Sequence, residues 1–531
     1  MRKKIIVLFL MMSFSLIMFA CQLEQSNTTE FSQLGDENKY YGDVFGQGEI
    51  TEINIEIDEN DWIDLVENAQ DEMYYSANIT INGNTLNEVG IRAKGFSSLI
   101  SVASSDSERY GFRVNFDKYV DNQNFNGLDT LVLNASYADP SYMREYLTYA
   151  ASTYLGAITP YLSYTKLSIN GEFFGLYLAI EAYDDSFVER YTDANDTVLY
   201  KANSDNCNLT LNDDGSEFDV KYGKDNDYSH IRNLISVLDQ TTEENKEELE
   251  EILNVDSVLK AIALNTVVGN YDSYNGSKAH NYYLLYENGK FSYIGWDYNM
   301  SMGGFTEDNG ASVTVDINEP VYNVNLSERP LIEKLLAIDE YKSQYLEYIN
   351  SLVDYFDGFE TQVDEIAQMI RDYVESDPTA FYTIEDFDSN IVKSDADLTQ
   401  VQTNIPNRGG NQPPQMLGEG QPSMLEELPH DIDGQLLERP EGENQPPQMF
   451  DEEQPSMSGE GAQMIDGQLP KLPEGETIPK PNDPPAMPYG KNDKEGERLS
   501  PNTVSIIDYM TQRIENINKQ LSDLKDGDID N

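Results

Sequence analysis

The sequence predicts an α+β fold: a strand-rich first part, a helical second part and a low-complexity insertion near the C-terminus. Three observations carry that expectation. Asn-Gly dipeptides at 82–83, 170–171 and 288–289 each separate two apolar, alternating runs, the strongest short-range sign of a two-residue type I′ hairpin. Between the second and third of these, segments with helical apolar spacing take over. After Gln400 the composition turns to Pro, Gly, Glu, Gln and Met, which cannot build a packed core.

The elements follow in order. Arg2-Lys3-Lys4 precedes the apolar run Ile5–Ala20, which ends at Cys21. A basic start and a short apolar stretch make an export signal, residues 1–21. Cys21 at its end resembles a bacterial lipobox cysteine, so a lipid there is expected to tether the chain to the outer face of the cytoplasmic membrane or the cell surface. Residues 22–47 read as a polar tether, and residues 48–399 as the main domain. Its strands run Tyr75–Ile81, Asn84–Arg92, Gly111–Phe116, Thr130–Asn134, Tyr161–Ile169 and Glu172–Ile180. A helix lies among them, with Asp139 as N-cap, Pro140 in its first turn and Gly156 just past its end. Its apolar stripe is Met143, Leu147, Ala150 and Tyr154. Tyr228–Leu238, Glu243–Leu253 and Val255–Val268 read as further helices, the last leading straight into Asp272. Within residues 400–499 the phrases Asn411-Gln-Pro-Pro-Gln-Met416 and Gln421-Pro-Ser-Met424 recur at 444–449 and 454–457. Residues 500–531 hold a last helix expected to dock back on the main domain, its apolar positions Val504, Ile507, Met510, Ile514, Ile517 and Leu521.

Composition excludes several functions. A formal charge of −60 over 531 residues argues against a nucleic-acid binder and suits cations or a basic polypeptide partner. The only cysteines are Cys21 and Cys207, so no internal disulfide follows once Cys21 carries lipid. His230, His280 and His430 are the only histidines, too few for a zinc cage or a convincing Ser-His-Asp site. No GxxxxGK[ST] phosphate loop occurs.

The third hairpin holds the chemistry. Counting outward from Asn288-Gly289 pairs Glu287 with Lys290 and Asn281 with Trp296. Asn281 and Asp297 then lie side by side at the open end of the ladder. An oxygen-donor pair so placed suits a magnesium ion carrying nucleotide phosphates, with manganese as a substitute. Upstream, strands, a helix, a hairpin ending at Glu181, further helices and a loop carrying Asp272 precede that hairpin. Protein kinases run in the same order: a strand-rich lobe, a hinge, a helical lobe, a catalytic aspartate, a metal-binding asparagine, a hairpin and a metal-binding aspartate. The expected fold is therefore a divergent, two-lobed, protein-kinase-like one.

Basic groups from the strand-rich part must neutralise the transferred phosphate. Lys94, before Gly95, and Arg113, flanked by Phe112 and Val114 in a strand, are candidates; Lys201, ending another strand, is a third. Arg144 is preferred over its neighbour Glu145, which the helical wheel turns about 200° from Met143 and away from the core. Glu181, in a hinge-like position, marks backbone groups that could hold adenine.

Ile91-Arg-Ala-Lys-Gly-Phe-Ser-Ser98, Asp139-Pro-Ser-Tyr-Met-Arg-Glu145, Gly175-Leu-Tyr-Leu-Ala-Ile-Glu181, Leu199-Tyr-Lys201, Gly269-Asn-Tyr-Asp272 and Trp296-Asp297 together resemble the CotH-like atypical protein kinases, the spore-coat-protein-H group. The resemblance spans most of residues 50 to 345. It implies transfer of phosphate from ATP, with magnesium, to serine or threonine of an extracytoplasmic protein. It matches Asp272 to the catalytic aspartate and Asp297 to the metal aspartate. Phe96 departs from the small polar residue more usual after Lys-Gly, and the Asp272–Asn281 loop is long. The alternative from another class is an idle kinase-like domain acting as a surface scaffold or adhesin.

Overall fold

The computed structural model describes residues 39–46, 50–192, 194–305, 311–394, 396–400 and 504–527. The export signal, the lipobox cysteine and nearly all of the 400–499 insertion lie outside the described residues. The barrel, the helices and the cleft all belong to one compact unit, which does not include residues 405–493.

Seven strands close into a barrel in the order β1-β2-β3-β4-β5-β7-β6. They are β1 (Thr51–Ile57), β2 (Tyr75–Ile81), β3 (Asn84–Lys94), β4 (Gly111–Asn115), β5 (Thr130–Asn134), β6 (Leu162–Ile169) and β7 (Glu172–Glu181). Consecutive hairpins supply the antiparallel pairs β2–β3 and β6–β7, joined by the Asn-Gly turns the sequence marked. Asn82 and Asn170 both have positive φ, as type I′ turns demand. The barrel closes where β1 pairs parallel with β6, Ile53 opposite Leu167 and Ile55 opposite Ile169. Alternation along each strand sends one set of side chains inward. Ile53, Ile55, Ile79, Ile81, Ile91, Phe112, Val114, Leu131 and Leu133 fill the interior and are shut from water. Each such side chain contributes about 1.5–3 kcal/mol by leaving water.

The second part rests on the helix Val255–Val268, buried on almost every side. Asn254 caps its start by accepting the Ser257 N–H, and Gly269, left-handed at φ 62°, ends it. The helices Asp339–Tyr355 and Arg144–Tyr154 pack against it. A four-stranded sheet runs in the order β11-β10-β8-β9, with β8 (Thr197–Ala202), β9 (Phe218–Tyr222), β10 (Tyr282–Glu287) and β11 (Lys290–Gly295). The architecture is thus α+β, a β-barrel lobe followed by a helical lobe. Among the described residues no helix is long and apolar enough to cross a membrane.

The helix expected to begin at Asp139 begins at Arg144 instead. Asp139 uses its side chain inside a tight turn, accepting from the backbone N–H groups of Ser141 and Arg144, with Tyr142 at φ 59°. The single apolar stripe also fails for this helix. Arg144, Glu145, Thr148 and Ser152 are buried along with Leu147, while Tyr154 is half exposed at 52%. The side open to water is that of Tyr146, Ala150, Thr153 and Tyr154, so the far end of the expected stripe faces out while Glu145, Thr148 and Ser152 face in.

The helix Ile506–Gly527 lies against the helix Val255–Val268 and buries Ile507, Met510, Ile517 and Leu521. Arg513 is fully buried, and its guanidinium donates to the carbonyls of Thr266, Val313 and Val315.

Candidate active site

The hairpin β10–β11 has the register its turn dictates. Glu287 faces Lys290 and Tyr282 faces Gly295, with Asn288 and Gly289 at φ 50° and 91°. Beyond the ladder the Trp296 N–H still donates to the Asn281 carbonyl at 3.0 Å. Asn281 and Asp297 therefore flank one end of the hairpin, each with left-handed backbone (φ 57° and 58°). Gly295 is required just before this corner: a Cβ there would lie 1.8 Å from the Tyr298 hydroxyl. Non-glycine residues held at positive φ cluster where a site over-determines its geometry.

Asp272 meets this corner from the loop after the Val255–Val268 helix. Asn281 donates from Nδ2 to the Asp272 carbonyl at 2.9 Å and to its Oδ2 at 3.2 Å. His280 Nε2 lies 2.8 Å from Asp272 Oδ1. With its amide N–H groups turned to Asp272, Asn281 has Oδ1 as its donor atom toward a cation.

The barrel supplies the opposite side. Lys94 ends β3 opposite Gly111 of β4, and a Cβ on that glycine would come within 3.1 Å of Lys94 Cε. Burial lowers the Lys94 ammonium from its ordinary value, while Asp297 and then Glu145 raise it. Glu145 stands in the first turn of the Arg144–Tyr154 helix and is 6% exposed. Its Oε2 accepts Asn134 Nδ2 at 2.8 Å, whereas its Oε1 is buried without a hydrogen-bond partner. Burial, reinforced by the charge of Asp297, pushes Glu145 up to about 8. Burial also holds Asp297 above its ordinary range; Lys94 opposes this, Asp272 adds to it, and His280 and Lys201 oppose it. One electrostatic centre thus joins a barrel strand, a helix and both flanks of the hairpin.

Of the expected residues, Lys94, Asp272, Asn281, Asp297 and Lys201 come together. Lys201, at the end of β8 and opposite Tyr283 of β10, reaches Asp297 through its charge. Arg113 stands at the margin: its guanidinium pairs with Asp184 at 3.3 Å, and its charge acts on Lys94.

Two placements correct the sequence reading. Arg144 is not at the cleft. It is fully buried, forms an ion pair with Asp139 and donates to Asn390 and to the Val504 carbonyl, so it is a structural bolt. Its neighbour Glu145, set aside by the wheel, is the one that faces Lys94 and Asp297. The physical reason is that this helix turns its polar side inward, burying Glu145, Thr148 and Ser152 and leaving Tyr154 exposed. Glu181 is likewise occupied. Its carboxylate pairs with Arg190 and accepts the Tyr161 N–H, and its own N–H donates to the Tyr161 carbonyl at 2.8 Å. Adenine finds no free donor at Glu181 itself. His280 enters the sequence reading only as one of three scarce histidines; its place one residue before Asn281 is the signal that could have found it.

The donor chemistry fits a hard cation: a carboxylate on Asp297, a carboxamide oxygen on Asn281, and Asp272 beside them. Among the described residues no three or more His, Cys, Asp or Glu side chains gather as a metal cage. Magnesium commonly takes one or two protein oxygens and completes its shell with phosphate and water, which is what this pair offers. The orphaned Oε1 of Glu145 is an acceptor for an ammonium such as that of Lys94.

Comparison with known proteins gives a concordant result. Inner spore coat protein H of Bacillus subtilis (strain 168) is 26% identical over 280 residues, which is 50% of this chain and 74% of that protein. The family model described as CotH kinase protein matches residues 91–411, more than half of the chain and the whole stretch from Lys94 to Asp297. The chain belongs to the CotH kinase protein family.

Proposed function

We propose that this chain is an exported protein kinase that transfers phosphate from ATP, with magnesium, to serine or threonine of an extracytoplasmic protein. The observation that carries the reading is the convergence of Lys94, Glu145 and Asp297 from three separate elements, opposite Asp272 and Asn281. Two-lobed kinases need that set: a strand lysine, a helix glutamate, a catalytic aspartate and two metal-binding oxygens.

The roles follow from the chemistry. Asp297 and Asn281 would hold the metal through oxygen, and the metal supplies charge neutralisation on the phosphates. Lys94, oriented by Glu145, and Lys201 offset the remaining phosphate charge. Arg113 adds to the positive field from the neighbouring strand. Asp272 orients the substrate hydroxyl and accepts its proton. The hydroxyl oxygen forms the new bond to the γ-phosphorus as the bond to the bridging oxygen breaks, and ADP leaves. The acidic chain favours a basic protein substrate, and a lipid on Cys21 would keep the domain at the outer surface.

The test is direct. The chain lacking residues 1–21 is incubated with labelled ATP, magnesium or manganese, and a basic Ser-rich peptide. Transfer is expected from the unaltered protein and should fall by about 100-fold or more in Asp272→Ala. Asp297→Ala is expected to abolish metal-dependent nucleotide binding as well. An unaltered protein that neither binds magnesium–ATP nor transfers phosphate overturns the kinase reading in favour of a surface scaffold.

A further inference from the structure

We infer that His280 is a positioning residue for phosphoryl transfer, fixing the Asp272 carboxylate so that Oδ2 faces the substrate hydroxyl; this rests on the kinase reading above.

The backbone carrying Asp272 is fixed independently of its side chain. Asn270 Nδ2 donates to Asn265 Oδ1, Asn265 Nδ2 to Asn275 Oδ1, and Asn275 Nδ2 to the Pro320 carbonyl. Ser273 Oγ donates to the Asn270 carbonyl and accepts the Asn275 N–H. This buried amide chain locks residues 270–275 onto the helix before them. It makes no contact with the Asp272 carboxylate, whose two side-chain torsions are left to other partners.

Those partners are two consecutive residues, His280 and Asn281. His280 Nε2 is 2.8 Å from Oδ1, while Asn281 Nδ2, already bonded to the Asp272 carbonyl at 2.9 Å, lies 3.2 Å from Oδ2. The stronger contact fixes Oδ1; the longer one leaves Oδ2 with acceptor capacity for a hydroxyl. Bringing both side chains back onto Asp272 requires left-handed backbone on either side of the histidine, at Ala279 (φ 48°) and Asn281 (φ 57°). An alanine so held is disfavoured by sterics, and Ala279 is fully buried. Both Asp272 and His280 keep a partly open face, 21% and 29% exposed. The pair therefore lies at the edge of the cleft rather than inside the core.

Orientation of a base is worth rate rather than affinity. With the chain lacking residues 1–21, His280→Ala is expected to lower kcat between about 10- and 100-fold with the KM for ATP within about twofold. His280→Gln, whose amide keeps an N–H donor, should recover part of the loss and controls for folding. Asp272→Ala/His280→Ala should be no slower than Asp272→Ala, because the histidine acts through that carboxylate. A readout without nucleotide comes from histidine side-chain 15N spectra, which are simple in a chain with three histidines. His280 should carry a proton on Nε2, and its resonance should move in Asp272→Asn. A working enzyme with His280→Ala at full kcat, or losses that multiply in the double variant, overturns this inference alone. An unaltered protein that transfers no phosphate overturns the kinase reading, and the role of His280 with it.

Discussion

Asp184 shows how burial and charge compete at a single residue. It lies beside Arg113 at the barrel end of the cleft, and burial pushes its carboxyl up to about 7, while Arg113 and Thr130 pull it down. A carboxyl raised in the folded state binds more protons there than in the unfolded chain. Its stabilising contribution is complete below the ordinary carboxylate range and is lost as pH rises through about 7. Asp184→Asn removes that dependence. The Tm of the variant relative to the unaltered protein should therefore improve from pH 5 to about 7 and level off above it, and thermal melts between pH 5 and pH 8 check it. Glu145 is the residue-scale test of the cleft. Glu145→Gln keeps the bond to Asn134 within reach but deletes the charge opposite Lys94. Phosphate transfer is expected to fall by about tenfold or more with the fold intact by circular dichroism. A variant as active as the unaltered protein would remove Glu145 from the site.

At the scale of elements, the helix Ile506–Gly527 braces the segments that carry the candidate catalytic residues. Tyr509 packs where Gly269 has no side chain, just ahead of Asp272; a Cβ at Gly269 would lie 1.7 Å from its hydroxyl. Arg513 satisfies the Thr266 carbonyl near the end of the Val255–Val268 helix, together with two carbonyls of the 313–315 turn. Arg144 ties the start of the Glu145 helix to Val504. Arg513→Ala takes the donor from the Thr266 and Val313 carbonyls, while Val315 keeps Gln520 Nε2 at 3.2 Å; the cost is roughly 2–4 kcal/mol. Denaturant unfolding should report that loss, and hydrogen exchange should rise first across residues 265–273. Equal protection there in both proteins would show that the helix only covers the lobe.

Across the whole molecule, both flanks of the insertion meet on that same helix. Ser394 and Leu398 donate from their backbone N–H groups to Asp508 and Gln512, and Gln512 donates back to the Ala396 carbonyl. A segment whose two ends leave from one place can be shortened with little change in loop entropy. Replacing residues 405–493, which lie outside the compact unit of the barrel and helices, by a short Gly/Ser linker is expected to shift Tm by no more than about 2 °C and to leave magnesium–ATP binding unchanged. A collapse of either would make the insertion part of the folded core.

The sequence by itself determined the local geometry. Asn-Gly turns set the hairpin registers, so Asn281 and Asp297 were bound to flank one ladder end, and an apolar helix was bound to lead into Asp272. Those features depend on contacts a few residues apart, where turn chemistry and strand periodicity decide. Only the tertiary structure decided which face of the Arg144–Tyr154 helix is the working one. It also closed the barrel by pairing β1 with β6, more than a hundred residues away, and brought His280 onto Asp272. The helical wheel favoured Arg144 because it presumes that the apolar side of a helix is the buried one. Here water lies on the side of Ala150 and Tyr154, and Glu145 is buried on the other, where its charge acts on Lys94 and Asp297.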